Sequence, residues 1–352
     1  MVKMVKKYKA CLVGCGRMGA TIDDEVRNRP DSALYLPYSH AAAYKSIEDV
    51  ELVAVADIVP ERVEATKRRY GVARGYTDYR EMIEVEKPDI VSITTRPSTH
   101  ASITIFAAEH GVKGIYCEKP LCCSMEEADA MVEACEKYGV KFNYGTQRRY
   151  MPLYRKIREL IEDGEIGEVH CIMGYGFGGA QWTHTHTADM LMLLAGDPEV
   201  DYVQGTVLVD AADFEDNCIE TDPQILLGFV KFRNGVLGYV IPGVGYEFEV
   251  SGTRGRIRVL NNGLGCQIRK VGRWGILEEA SFPEFKVESG TVNCIRDLIE
   301  AIETGRETKG NILLARRSQE MIFGFVESHR RGGVRVTLPL ENRSLRICPK
   351  DW

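Results

Sequence analysis

Residues 8–19 read Tyr8-Lys9-Ala10-Cys11-Leu12-Val13-Gly14-Cys15-Gly16-Arg17-Met18-Gly19. A short apolar run ends on glycines spaced G-x-G-x-x-G, the pattern of a strand that turns sharply into a helix. The first glycine permits the tight turn, the second lets backbone approach a pyrophosphate, and the third lets strand and helix pack closely. A helix starting there points N–H groups and the positive end of its dipole at the phosphates. The stretch therefore predicts the first strand of a parallel sheet, and a dinucleotide site to which Gly14, Cys15, Gly16, Arg17, Met18 and Gly19 contribute.

Downstream, Leu52–Ala56 is a buried-strand pattern, and Pro60 suits the first position of the helix that follows. Asp57 ends that strand. An acid there accepts hydrogen bonds from the adenosine ribose and repels a 2′-phosphate, which favours NAD over NADP. Gly19 and Asp57 are 38 positions apart, where roughly 20 is usual. The excess, Thr21–Ser39, holds Pro30 and Pro37 and has no helical period, so it reads as an inserted loop or broken helix beside the cofactor. Ile90–Ile93, Lys113–Cys117 and Val140–Tyr144 are further short apolar strands. Ala101–His110 and Glu126–Tyr138 read as helices; the second has Ser124 as cap, Glu127 three residues on, and Gly139 as stop. Strands alternating with helices give a parallel sheet with crossover helices.

Past Thr146–Pro152 the pattern changes. Asn234-Gly235 separates two strand-like runs, Ile225–Phe232 and Val236–Ile241, a strong hairpin signal. Asn261-Asn262-Gly263 separates Arg256–Leu260 from Cys266–Arg269 in the same way. Val169–Tyr175, Val200–Val209 and Tyr246–Ser251 add strands, and Thr291–Glu303 and Ile312–Glu327 read as helices. This is an α+β pattern dominated by antiparallel strands. Two domains are expected, 1–146 and 147–352, in keeping with a length of 352 residues.

Composition narrows the function classes. Hydrophobic residues make up 44% and charged residues 27%, which excludes disorder as the main plan. A net charge of −6 speaks against a nucleic-acid or anionic-membrane partner. The longest apolar stretch, Ala188–Ala195, is broken by Asp189 and is far shorter than the roughly 20 residues of a membrane span. Ala10–Val13 is too short for a secretory leader. The eleven cysteines lack zinc spacing, and the chain is too long for a disulfide-stapled scaffold, so reduced thiols in the cytoplasm are expected.

The run Lys113–Cys117 leads into Glu118-Lys119-Pro120. A lysine at the carboxyl end of a parallel strand sits at the ligand crevice. Partly desolvated and beside a cationic nicotinamide, it would titrate in a range useful for proton transfer. The glycine fingerprint, Asp57, Thr94-Thr95-Arg96-Pro97-Ser98-Thr99-His100, Glu118-Lys119-Pro120, Gln147-Arg148-Arg149-Tyr150-Met151-Pro152, and Ile161–Val169 with Gly164 and Ile166-Gly167 follow one another in an order that resembles the glucose–fructose oxidoreductase / inositol 2-dehydrogenase (Gfo/Idh/MocA) family.

The resemblance implies an α/β Rossmann domain followed by an α+β domain with a large open, mainly antiparallel sheet. It implies a homodimer or homotetramer built through that sheet, and NAD(P)-dependent oxidation or reduction of a sugar, inositol or related polyol. Lys119 matches the family's catalytic lysine, and Pro120 its partner, often cis. Thr95, Arg96, Pro97, His100, Glu118 and Gln147 are expected at the cofactor, and Arg149 and Tyr150 near the substrate.

One motif departs from the family pattern. Where relatives carry Asp-x-Gly-x-His-x-x-Asp, this chain has Trp182-Thr183-His184-Thr185-His186-Thr187-Ala188-Asp189. His186 and Asp189 fit, which makes His186 the second expected acid–base group. Trp182 replaces the first Asp, and His184 replaces Gly. His186 and Asp189 share a helix face. His184 and His186 diverge on a helix, and only an extended start would point both one way. Trp182 reads either as a stacking wall for a sugar ring or as core packing. Trp182, His184 and Asp189 are taken as substrate-side residues, and no metal site is expected. The leading reading is a dehydrogenase. The alternative is a redox-neutral NAD-dependent glycosidase or lyase, which transiently oxidises a ring carbon, eliminates the aglycone and needs extra acid–base groups.

Overall fold

The computed structural model describes residues 7–209, 214 and 216–350. In chain order the strands and helices are β1 Tyr8–Val13, α1 Ile22–Val26, α2 His40–Lys45, β2 Val50–Ala56, α3 Pro60–Tyr70, β3 Arg74–Tyr76, α4 Tyr79–Glu86, β4 Ile90–Ile93, α5 Pro97–Glu109, β5 Gly114–Cys117, α6 Met125–Tyr138 and β6 Lys141–Tyr144. There follow α7 Pro152–Glu162, β7 Val169–Tyr175, α8 His184–Ala195, β8 Val200–Leu208, β9 Cys218–Ile219, β10 Gln224–Phe232, β11 Leu237–Ile241, β12 Glu247–Gly252, β13 Gly255–Leu260, β14 Gly265–Val271, β15 Leu277–Ala280, α9 Gly290–Thr304, α10 Ile312–Arg330, β16 Val336–Thr337 and β17 Arg346–Ile347. No helix among the described residues is long and apolar enough to cross a membrane. All eleven cysteines are free thiols.

The chain forms two compact units. The first runs to Cys122 and adds Glu127–Met151 and Glu288–Leu313. Its sheet is parallel throughout, in the order β3-β2-β1-β4-β5-β6. Every residue of β4 and β5 is buried, which is why these strands read as unbroken apolar runs. The order reverses between β1 and β4, and a crevice opens at the carboxyl ends of such strands. The region 21–39 is a broken helix: a wide turn at Arg17–Thr21, then α1, a single tight turn at Ser32–Leu34, and α2. Asp23 holds it together, its carboxylate accepting Tyr38 N and Ser39 N at 2.9 Å each.

Unit 1 also takes in α9, which the division at residue 147 gives to the second domain. Its apolar face completes the first core. A Cβ on Gly114 of β5 would meet Ile302 Cδ1 at 2.8 Å and Leu298 Cγ at 3.1 Å, so β5 accepts α9 only because Gly114 has no side chain. Asn143 of β6 donates to Cys294 O at 2.8 Å.

Unit 2 holds a nine-stranded sheet in the order β15-β14-β13-β12-β7-β11-β10-β8-β16, antiparallel except for β7 with β11. The two Asn/Gly turns join β10 to β11 and β13 to β14, as their sequence predicts. One face is covered by helices. A Cβ on Gly174 would lie 2.6 Å from Thr187 of α8, and Cβ atoms on Gly205 and Gly228 would lie 2.6 Å and 2.9 Å from Phe325 of α10. The other face carries a row of rings, Tyr202, Phe229 and Tyr239, with centroids 5.9 Å and 5.4 Å apart. Leu208 and Leu227 are 64% and 47% exposed, so this sheet presents apolar side chains that unit 2 itself does not bury.

Candidate active site

The three fingerprint glycines have three different surroundings. Gly14 takes φ +98°, and a Cβ there would lie 2.8 Å from the Thr94 carbonyl group. A Cβ on Gly19 would meet Gly14 O at 2.1 Å, so this glycine lets the turn fold back on the strand. A Cβ on Gly16 would meet nothing within 4 Å. Packing therefore demands Gly14 and Gly19, whereas the bare backbone of Gly16 faces open space of the kind a phosphate group fills.

The loop is fixed from both sides. Thr94 Oγ1 donates to Gly14 O at 2.6 Å. Asp57 accepts Cys15 N at 2.7 Å on one oxygen and Val59 N at 2.9 Å on the other. A carboxylate oxygen has two lone pairs, so Asp57 ties down the phosphate loop and keeps capacity for a ribose hydroxyl. A cavity of about 450 Å³ opens here, lined by Cys15, Gly16, Arg17, Arg62, Thr66 and Arg69 among others. Arg17 Nε binds both Glu25 oxygens at 2.8 Å, and Arg69 is paired with Asp24. Met18 lies in the wide turn that follows Gly16. A free backbone cradle, a ribose acceptor and guanidinium groups on one cavity fit an anionic dinucleotide. Burial pushes the Cys15 thiol up to about 12, which leaves it protonated and unreactive near neutral pH.

The nicotinamide end of a doubly wound sheet lies beyond β4 and β5. Thr95 and Arg96 lead into α5, with Pro97 at its first turn. His100 is fully buried, with Nδ1 2.9 Å from Pro120 O and Nε2 3.1 Å from Thr95 O. It thus links the β4 loop to the Lys119-Pro120 bond, which is cis. Burial pulls its pKa below the ordinary histidine value, so the ring is neutral near pH 7 and donates to one of these carbonyls at a time. Lys119 follows the buried Glu118 at the carboxyl end of β5 and is half-buried. Gln147 Nε2 donates to Tyr38 Oη at 2.9 Å, joining the 21–39 insertion to the segment after β6.

Two expected substrate residues are turned inward. Tyr150 belongs to the main hydrophobic cluster, and its hydroxyl bonds Asn143 and, at 3.1 Å, Asp297. Arg149 is 1% exposed, and its Nη1 donates to Lys309 O. Tyr150 ties α9 into unit 1, and Arg149 ties in the loop that follows α9. The residues that sequence reasoning missed are His40, Tyr44 and Ser92, which form a buried chain to Glu118. Ser92 carried the available signal, as the single polar residue in the buried run Ile90–Ile93.

In unit 2, α8 starts at His184 itself, with Thr183 as its cap residue. His184 and His186 therefore diverge, and there is no extended start to align them. His184 is fully buried, with Nδ1 3.2 Å from Thr187 Oγ1 and Nε2 without a hydrogen-bond partner. Burial lowers its pKa to about 4. The ring is packed inside unit 2 and stays neutral near pH 7. His186 is half-buried and Asp189 is buried one turn later on the same helix. Trp182 is 52% exposed, which removes core packing as its explanation. Asp222 accepts the N–H groups of Gln181 and Trp182 at 2.8 Å and 2.9 Å, fixing the turn that leads into α8.

The family model GFO_IDH_MocA, an oxidoreductase family with an NAD-binding Rossmann fold, matches residues 8–146. Myo-inositol 2-dehydrogenase of Thermotoga maritima is 30% identical over 239 residues, 62% of this chain and 70% of that protein. D-apiose dehydrogenase of Paraburkholderia graminis is 32% identical over 163 residues, 46% of this chain and 38% of that protein. Among solved structures, levoglucosan dehydrogenase in complex with NADH aligns at TM-score 0.76 and 20% identity over 95% of this chain and all (100%) of that one. Aldose–aldose oxidoreductase from Caulobacter crescentus, complexed with glycerol, aligns at 0.74 and 19%, again over 95% and 100%. The parallel nucleotide-binding sheet, the mixed nine-stranded sheet and these similarities lead to one conclusion: the chain belongs to the Gfo/Idh/MocA oxidoreductase family.

Proposed function

We propose that this protein is an NAD-dependent oxidoreductase acting on a hydroxyl of a sugar, sugar derivative or cyclitol. The observation that carries the reading is Lys119, held half-buried at the carboxyl end of β5 by Glu118 on one side and the His100–Pro120 contact on the other. Inositol, apiose and levoglucosan, named in the relatives and the aligned structures, support the substrate class. When bound, NAD would supply the hydride acceptor for the carbon that bears the hydroxyl. Lys119, as the free amine, takes the hydroxyl proton, so that a carbonyl, an ammonium and a reduced cofactor balance the reaction. His186 is the second acid–base group, with Asp189 one turn on to orient it.

NAD is favoured over NADP by the Asp57 carboxylate. The pairing of Arg17 with Glu25 and of Arg69 with Asp24 further weakens any pull on an extra phosphate. The redox-neutral alternative depends on an extra acid–base group. His184, its candidate, is buried and uncharged near pH 7, which supports the dehydrogenase. We also place self-association on the ring-lined face of the nine-stranded sheet; Leu227→Asp should shift sedimentation toward the monomer.

The test is a polyol panel with NAD. One NADH should form per substrate consumed, and Lys119→Ala should abolish turnover while circular dichroism stays unchanged. Cleavage of a glycoside with no net NADH would sink the dehydrogenase reading. So would full activity in Lys119→Ala.

A further inference from the structure

Three buried polar side chains with no part in the chemistry just described lead to Glu118, which follows β5: Tyr44 and His40 on α2, and Ser92 on β4. None is more than 4% exposed. His40 and Tyr44 are one turn apart and share a helix face. Tyr44 Oη lies 2.7 Å from Ser92 Oγ, and Ser92 Oγ lies 3.0 Å from His40 Nδ1. His40 Nε2 lies 3.2 Å from Glu118 Oε1, and Lys119 N donates to Glu118 Oε2 at 3.2 Å. The imidazole is stacked on Tyr116 with centroids 4.0 Å apart.

With Glu118 as the carboxylate and His40 as the neutral imidazole, one direction fits this chain. A carboxylate only accepts, so His40 Nε2 carries the imidazole proton. Nδ1 is then a lone pair, and Ser92 donates to it. Ser92 has a single proton, so Tyr44 donates to Ser92; burial raises the Tyr44 pKa and keeps that proton in place. Gly145 packs close against the carboxylate, since a Cβ there would lie 2.9 Å from both Cδ and Oε1 of Glu118. Glu118 is thus held by close packing at Gly145 and by the His40 Nε2 contact.

We propose that His40 is a positioning residue whose Nε2–H, locked by Tyr44 and Ser92, holds the Glu118 carboxylate as a fixed negative charge beside Lys119 and so sets the place and the protonation range of that lysine. The proposal rests on the reading of Lys119 as the proton acceptor. Besides His40 and Lys119, the groups that feel the Glu118 charge include Tyr38 before α2, His100 on α5, Tyr116 and Cys117 on β5, and Cys294 on α9. Burial keeps all five neutral near pH 7, so they do not cancel its charge. The cations Arg17 and Arg148 act on Tyr38 as well. A fixed negative charge favours the ammonium form, and its loss moves the lysine titration to lower pH.

The experiment titrates Lys119 in the cofactor-free full chain, by NMR of isotopically dimethylated lysines, with the Lys119 signal assigned from Lys119→Arg. His40→Leu should lower the midpoint by about one pH unit, a tenfold change in proton affinity. His40→Gln, whose amide reaches Glu118, should restore it. Ser92→Ala unlocks the tautomer and should give an intermediate drop; it carries the test if His40→Leu fails to fold. An unchanged midpoint in folded His40→Leu, or in Ser92→Ala, overturns the proposal. So does a drop in His40→Gln as large as in His40→Leu. If the midpoints move as expected while no polyol yields NADH, the functional reading fails and the positioning role stands.

Discussion

Gly16 and Gly19 are the same amino acid three positions apart, yet substitution should separate their roles. Gly19→Ala forces a Cβ to 2.1 Å from Gly14 O, and overpacking of this kind costs about 3 kcal/mol. Its melting temperature should fall clearly in calorimetry. Gly16→Ala meets nothing within 4 Å, so it should melt like the parent while NAD affinity in titration calorimetry drops about tenfold or more. Equal losses of stability in the two variants would contradict the distinction. His184 gives a pH prediction. An unfolded histidine titrates near its ordinary value of 6.5, and His184 in the fold near 4. Between these values the unfolded chain binds a proton that the folded chain does not. Stability is therefore complete above about pH 6.5 and is lost as the pH falls toward 4, by on the order of 3 kcal/mol. His100, also lowered by burial, adds in the same direction. Urea midpoints at neutral and acid pH should differ less in His184→Gln than in the parent; identical differences would remove His184 from this role.

At the scale of elements, the insertion between β1 and β2 depends on a few polar ties. Asp23 accepts two backbone N–H groups from the turn before α2, and Ser39 caps α2 through Ala42 N. Asp23→Ala leaves those donors unsatisfied at about 2 kcal/mol, and hydrogen exchange of the Tyr38 and Ser39 amides should accelerate selectively. Unchanged protection there would show that the insertion is held by its apolar contacts instead. The prolines and missing period signalled an inserted loop or a broken helix here, with no warning that the segment delivers His40 to Glu118. Likewise β3, Arg74–Tyr76, is short and mostly exposed, so it lacks the apolar run that marked its neighbours. It exists because β2 offers it a parallel edge.

Across the whole molecule, the first unit is discontinuous in sequence. Val292, Ile295, Leu298 and Ile299 of α9 are buried in the cluster that holds β1 and β2 residues. Their burial is together worth on the order of 10 kcal/mol, comparable with the entire stability of a domain. A chain ending at Thr146 should therefore fail to fold, seen as aggregation or an unstructured NMR spectrum. A fragment that adds residues 288–313 through a linker should recover dispersed signals. A well-folded 1–146 fragment would show that α9 is dispensable.

Local sequence determined what depends on neighbours along the chain. The glycine fingerprint, the apolar strand runs and the Asn/Gly hairpin turns are each written within a few residues, because turn geometry and side-chain period are local properties. They were enough to give the parallel sheet, the dinucleotide cradle and Lys119 at a strand end. Tertiary structure decided what depends on residues far apart. It turned Tyr150 toward α9 and Arg149 toward the loop after it, buried His184 beside Thr187 and exposed Trp182. It also joined Tyr44, Ser92, His40 and Glu118, residues up to 78 positions apart, into one chain. Whether a polar side chain meets solvent, ligand or another buried group is fixed by packing from elements distant in sequence, and no local pattern encodes it.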